Sequence, residues 1–239
     1  MLVHVLLFAL ALVAGVLGGV VGTGSSMILL PPLVICYGPR VAVPVMAVAA
    51  VMGNVGRVAA WWGRIEWPPV VAYALPGIPA AVLGAQTLLT VPPRLMDACL
   101  AAFFVAMVPL RRVAVRARVR LWHLAVAGAV VGFLTGLVLS TGPLSVPIFT
   151  AYGLTGGAFL GSEAASALLL YAGKLATFQG AGALGADVLA RGLVIGTALL
   201  AGSFVARRIL RDVSPRRFAV LVDVVLVAAA VGMGVSALR

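Results

Sequence analysis

The residues of this chain with chemical potential are few, and three of them stand in unusual places. Arg57, Glu163 and Lys174 each sit within or at the start of an apolar run of helical length. A charge at the centre of a bilayer costs about 2.5–3.5 kcal/mol on insertion scales. Leucine would avoid that cost, so a retained charge points to a ligand or to a partner. Arg57 shares a helical face with Asn54, three residues earlier. It also lies near enough to the end of its run for the guanidinium to snorkel to the surface. No basic loop adjoins Lys174, so snorkelling explains it less well. Glu163 precedes Lys174 by 11 residues, about three turns and roughly 16 Å along an axis, too far for a direct bridge. It is a candidate coupling carboxylate if buried, and a loop-end residue in water if not.

Two glycine- and hydroxyl-rich breaks complete the candidates. The first is Gly22-Thr23-Gly24-Ser25-Ser26, closed by Pro31-Pro32. The second is Ser140-Thr141-Gly142-Pro143, with Ser145 and Pro147. Glycine permits unusual backbone angles, and exposed N–H groups at a helix start favour an anion. In lipid, irregular backbone is tolerated only where protein or a wet cavity surrounds it. The competing reading is a small-residue helix contact. The substrate-binding candidates are therefore Thr23, Gly24, Ser25, Ser26, Asn54, Arg57, Ser140, Thr141, Gly142 and Lys174, with Glu163 as the coupling candidate.

Other polar residues read as structural. His4 and His123 lie near membrane surfaces without a carboxylate or deep serine partner, so no catalytic residue is expected. Cys36 and Cys99 have no metal-ligating neighbours and read as small buried hydrophobes. Glu66 and Asp97 read as solvated helix ends, and Asp223 as a partner for a loop arginine. No GxxxxGK[ST] motif is present, so neither ATP, a metal nor another cofactor is expected.

The elements that must position these residues follow from composition. Of 239 residues, 63% are hydrophobic and 10% charged, and mean hydropathy is +1.19. A soluble domain carries about 45–50% apolar and about 25% charged residues. The excess excludes a soluble enzyme, a nucleic-acid-binding domain or a disulfide-built secreted module, and makes the bilayer the chain's main partner. The net charge of +11 is concentrated in two short segments, Arg111–Arg120 and Arg207–Arg217. Cytoplasmic loops between membrane helices carry such clusters. Apolar runs occur at about 2–22, 27–37, 41–62, 69–89, 95–110, 121–138, 143–153, 158–178, 188–206 and 218–236. All read as helices, because barrel alternation is absent.

The features recur in order. Pro31 and Pro147 are 116 residues apart, and Arg57 and Lys174 are 117 apart. Gly77 and Gly84 match Gly196 and Gly202, and Val91–Arg94 matches Val213–Arg216 at an offset of 122. Residues 1–115 and 116–239 thus read as duplicated halves. Placing both arginine clusters in the cytoplasm requires an even number of crossings between them. The run 121–153 is too long for one crossing of a hydrocarbon core about 30 Å thick, and its middle is broken. A helical hairpin satisfies length, break and parity together. The expected fold is all-α: a polytopic membrane helix bundle of two inverted-topology repeats, each a broken hairpin plus three spanning helices. Arg239 is then expected outside.

The stretch Gly22-Thr23-Gly24-Ser25-Ser26-Met27-Ile28-Leu29-Leu30-Pro31 resembles the glycine-rich signature of the TauE/SafE, or sulfite exporter, family. Gly63-Arg64-Ile65-Glu66-Trp67 and Val91-Pro92-Pro93-Arg94-Leu95 are similar in order, as are Ser140–Pro147, Gly180–Asp187 and Ser214-Pro215-Arg216 in the second half. Ser25 and Ser26 stand where the family pattern has glycines, and Pro143 interrupts the second signature. The resemblance implies transport of a small anion, such as sulfite or an organosulfonate, across the bacterial inner membrane, usually outward. The alternatives are a passive anion channel and an intramembrane enzyme, which would need a base that His4 and His123 do not supply.

Overall fold

A computed structural model describes residues 2–22, 24–92, 95, 102, 105–106, 119–138 and 142–209. Among the described residues, regular structure is entirely helical. The first part of the chain forms α1 (Leu2–Val21), α2 (Ser25–Tyr37), α3 (Pro39–Trp61) and α4 (Trp67–Thr90), with a short 3-10 turn at Trp62–Arg64. The second forms α5 (Leu121–Val138), α6 (Gly142–Tyr152), α7 (Gly156–Gly180) and α8 (Ala186–Ile209). The apolar runs at 95–110 and 218–236 lie outside the described residues, apart from helical Leu95, Ala102, Val105 and Ala106. So do most of both arginine clusters, Cys99, Asp97 and Asp223.

Among the described residues, four segments are long and apolar enough to cross a membrane: Val3–Val20, Pro39–Arg64, Trp67–Thr90 and Ala186–Arg208. Helix α7 has 25 residues, ample length, but Glu163, Lys174 and several hydroxyls dilute its apolar character. It solves that problem by burial: Ser162, Glu163, Ser166 and Lys174 are all among its buried residues. Helices α2 and α6 have 13 and 11 residues, about 20 and 16 Å at 1.5 Å per residue. Neither can cross a core about 30 Å thick. Each comes next in the chain after a longer helix and packs on it, α2 on α1 and α6 on α5.

The packing pairs are reciprocal between the two parts. Helix α4 packs on α5, and α8 packs on α1; α3 packs on α8, and α7 on α4; α3 and α7 meet each other. Glycines set the closest of these approaches. A side chain on Gly128, Gly132 or Gly136 of α5 would run into the backbone carbonyls of Tyr73, Gly77 and Ala81 on α4. On α1 and α8, a Cβ at Gly15 would lie 2.7 Å from the Leu199 carbonyl, and one at Gly202 2.6 Å from that of Leu12. Lipid gives no hydrophobic drive for helix association, so close backbone contact and dispersion supply it.

One structural reading changes. Cys36 is exposed rather than buried. It lies near the end of α2 beside Ile35, which is also exposed. An apolar side chain on the outside of a membrane bundle contacts lipid tails, which solvate it as well as a protein core would.

Candidate anion site

The first break is built by backbone that only glycine adopts readily. Gly22 and Gly24 have φ of 89° and 105°, in the left-handed region that costs other residues about 1–2 kcal/mol. Gly24 caps α2, and its carbonyl accepts the Ile28 N–H at 3.1 Å. The amides of Ser25 and Ser26 open the helix and have no acceptor within it. They begin a half-helix whose positive dipole end faces the cavity. Helix α6 begins at Gly142, which lines the same cavity.

Arg57 reaches inward from α3 rather than outward to the surface. Its side chain is 11% exposed. The guanidinium donates to the Gly22 carbonyl and to Asn54 Oδ1, and Nη1 donates to Glu163 Oε2 at 2.7 Å. The first of these ties down the carbonyl end of the α1 break. Asn54 is oriented in turn by donation from Nδ2 to the Ala50 carbonyl at 2.8 Å. Glu163, on α7, is 4% exposed, so it is an interior carboxylate and not a loop-end residue in water. Its second oxygen, Oε1, lies 3.0 Å from Ser145 Oγ on α6. The same hydroxyl lies 2.8 Å from the Gly142 carbonyl. One carboxylate therefore links α3, α6 and α7.

Lys174 plays an equivalent part at the second break with different partners. It is fully buried. Its Nζ donates to the Thr135 carbonyl, near the end of α5, at 2.9 Å, and sits 5.2 Å from the centre of the Phe178 ring. The ion pairs among the described residues are Arg57–Glu163 and Asp187–Arg191, and neither includes Lys174.

Between the breaks lies a polar cavity of about 60 Å³. Gly24, Ser25, Ser26, Asn54, Arg57, Gly142 and Glu163 all line it. Sequence reasoning named all seven. Lys174 is not on the lining; Thr135, which is, stands between. Thr23, Ser140 and Thr141 lie outside the described residues. The cavity also takes in Ser145, named with the second break, and Tyr73, Thr135, Tyr171 and Ser203, which were not among the site candidates. Tyr171 shares a hydrogen bond with Ser26. A signal for Tyr171 was present: it follows Asn54 by 117 residues, the offset that joins Arg57 to Lys174.

The model of the sulfite exporter TauE/SafE family matches residues 7–233, nearly the whole chain. The chain belongs to the TauE/SafE family. No curated protein and no solved structure matches it. As a TauE/SafE protein it is a multi-pass membrane transporter and not an enzyme. The half-helix starts and the guanidinium described above thus lie inside a membrane transporter.

Proposed function

We propose that this protein is a secondary transporter that carries a compact oxyanion, sulfite or a small sulfonate, out across the bacterial inner membrane. The observation that supports this reading best is the convergence of two half-helix N-termini and the Arg57 guanidinium on one cavity lined by polar side chains. Backbone N–H groups and a guanidinium form the donor set that suits an ion with several acceptor oxygens. Size favours a compact ion. A water needs about 10–15 Å³ of such free volume, so a cavity of about 60 Å³ has room for four or five small atoms.

In this reading Gly24, Ser25, Ser26, Asn54, Arg57 and Gly142 bind the anion, and Thr23, Ser140 and Thr141, which adjoin them in the sequence, bind it with them. Lys174 contributes positive charge from behind Thr135, and Glu163 is the carboxylate that couples transport to an ion gradient. The two parts, 1–115 and 116–239, are inverted repeats about an axis where α3 meets α7. The reciprocal packing pairs support that symmetry, as does the correspondence between Arg57 on α3, which donates to the end of α1, and Lys174 on α7, which donates near the end of α5. The arginine clusters face the cytoplasm by the positive-inside rule. Alternating access is then a rocking of one bundle against the other around the cavity.

The test is a proteoliposome transport screen across sulfite, sulfonates and small carboxylates, with an imposed gradient. Saturable, gradient-driven sulfite or sulfonate flux is expected. Flux that is neither saturable nor gradient-coupled would make the protein a channel, and no flux of any anion would overturn the reading.

A further inference from the structure

We propose that the Glu163 carboxylate is a tethered anion, seated in the anion site of the cavity, and that the transported anion binds by displacing it from Arg57. The inference rests on the functional reading above and adds the identity of a built-in competitor. The carboxylate shares the features that recognition of the ligand would use: it is a compact oxyanion, it lies against the guanidinium at 2.7 Å, and its other oxygen meets a hydroxyl at the N-terminus of a half-helix, Ser145, at 3.0 Å. While it is there, the charge of Arg57 is compensated, and an incoming anion gains little from approaching it.

The surroundings make departure of the carboxylate inexpensive for every group it leaves. Arg57 keeps the Gly22 carbonyl and the Asn54 side chain, so its position survives while its remaining N–H groups open to a ligand. Ser145 has one hydroxyl proton and two acceptors in reach, Glu163 Oε1 and the Gly142 carbonyl at 2.8 Å. It falls back on the carbonyl when the carboxylate moves. Nothing buried is stranded except the carboxylate itself, so an anion that replaces it must keep it solvated or paired. Arg57 from α3, Tyr73 from α4 and Tyr171 from α7 are the titratable groups that surround it.

The test is calorimetric titration of the purified protein in nanodiscs with sulfite and, separately, methanesulfonate, together with thermal melting. Glu163→Gln removes the competing charge and keeps the shape. It is expected to bind the anion about tenfold more tightly than wild type while melting at a lower temperature. The opposite signs are the mark of a competitor. A residue that merely positions Arg57 would lose affinity and stability together. Glu163→Asp, whose carboxylate is withdrawn by one methylene, is expected to fall between and serves if Glu163→Gln does not accumulate. Wild type that binds sulfite while both variants bind it equally or more weakly overturns the inference alone. Absence of binding in wild type and variants alike overturns the functional reading and the inference with it.

Discussion

The Arg57 and Lys174 breaks occupy equivalent places in the two parts of the chain but solve the same problem in different ways. In each, a cation from the third helix of its part donates to a carbonyl at or near the end of the first. Those carbonyls lack helical partners or lie in a last turn, where positive charge is favoured. Arg57 goes further: it lines the cavity and pairs with Glu163. Lys174 stays behind the cavity wall, fully buried, against a carbonyl and the Phe178 ring. Guanidinium geometry explains the division. A planar fork of five N–H groups can hold the helix end, the amide and a carboxylate at once. A lysine ammonium is a compact donor suited to a single buried acceptor. Arg57 therefore reaches the cavity directly, whereas Lys174 supports the end of α5 behind the cavity wall.

The largest effect should come from Arg57→Ala. It strips a buried carboxylate of its partner, and breaking such a pair by removing one member costs about 3–5 kcal/mol. It also removes the guanidinium from the anion site, a charge-assisted bond of about 1.5–3 kcal/mol, or one to two decades in affinity. Thermal melting and anion titration check both. The double variant Arg57→Ala/Glu163→Ala should recover part of the stability but none of the affinity, which a double-mutant cycle resolves.

A smaller effect is expected at Gly132. Gly132→Leu would force a side chain into the Gly77 carbonyl of α4, and overpacking of this kind costs about 1–3 kcal/mol. Yield and melting temperature should fall, while anion affinity of the folded fraction stays within twofold or so of wild type. Lys174→Met should come next. Replacing a buried charge by an apolar side chain of similar length is often near neutral for stability. The loss of one donor to the Thr135 carbonyl loosens the α5 break, so the maximal rate should fall, by about tenfold for a bond worth about 1–1.5 kcal/mol, with KM little changed. Arg116→Ala, in the basic segment that the positive-inside rule assigns to the cytoplasm, should be nearly silent in both rate and KM, because a charge in water gains only about 1 kcal/mol at 4 Å and is screened by salt.

Much of this arrangement was legible in the chain. Apolar runs and glycine-proline breaks marked α1 to α4 and α5 to α8 to within a few residues, because a membrane helix must be long, apolar and internally hydrogen-bonded. The cost of a charge in such a run singled out Arg57, Glu163 and Lys174. What the sequence could not express was direction. Helical periodicity put Glu163 and Lys174 on nearly one face, yet Glu163 pairs with Arg57 from α3, 106 residues away. Nothing local marks which helix will face it. Tyr73 and Ser203 escaped notice for a related reason: each is an ordinary residue of an apolar helix until α4 and α8 bring it to the cavity. Lys174 was expected in the cavity itself, and its place behind Thr135 depends on how α5 ends against α7.

The division of labour between the two breaks is tested most directly by saturation kinetics of sulfite transport in proteoliposomes, with wild type, Arg57→Lys and Lys174→Met inserted in equal amounts. Arg57→Lys keeps the charge and loses the fork, so KM should rise by about tenfold or more. Lys174→Met should leave KM within about threefold of wild type while lowering the maximal rate, in keeping with a residue that never touches the ion. The reverse pattern, with KM raised by Lys174→Met and unmoved by Arg57→Lys, would place the anion at the second break and contradict the account.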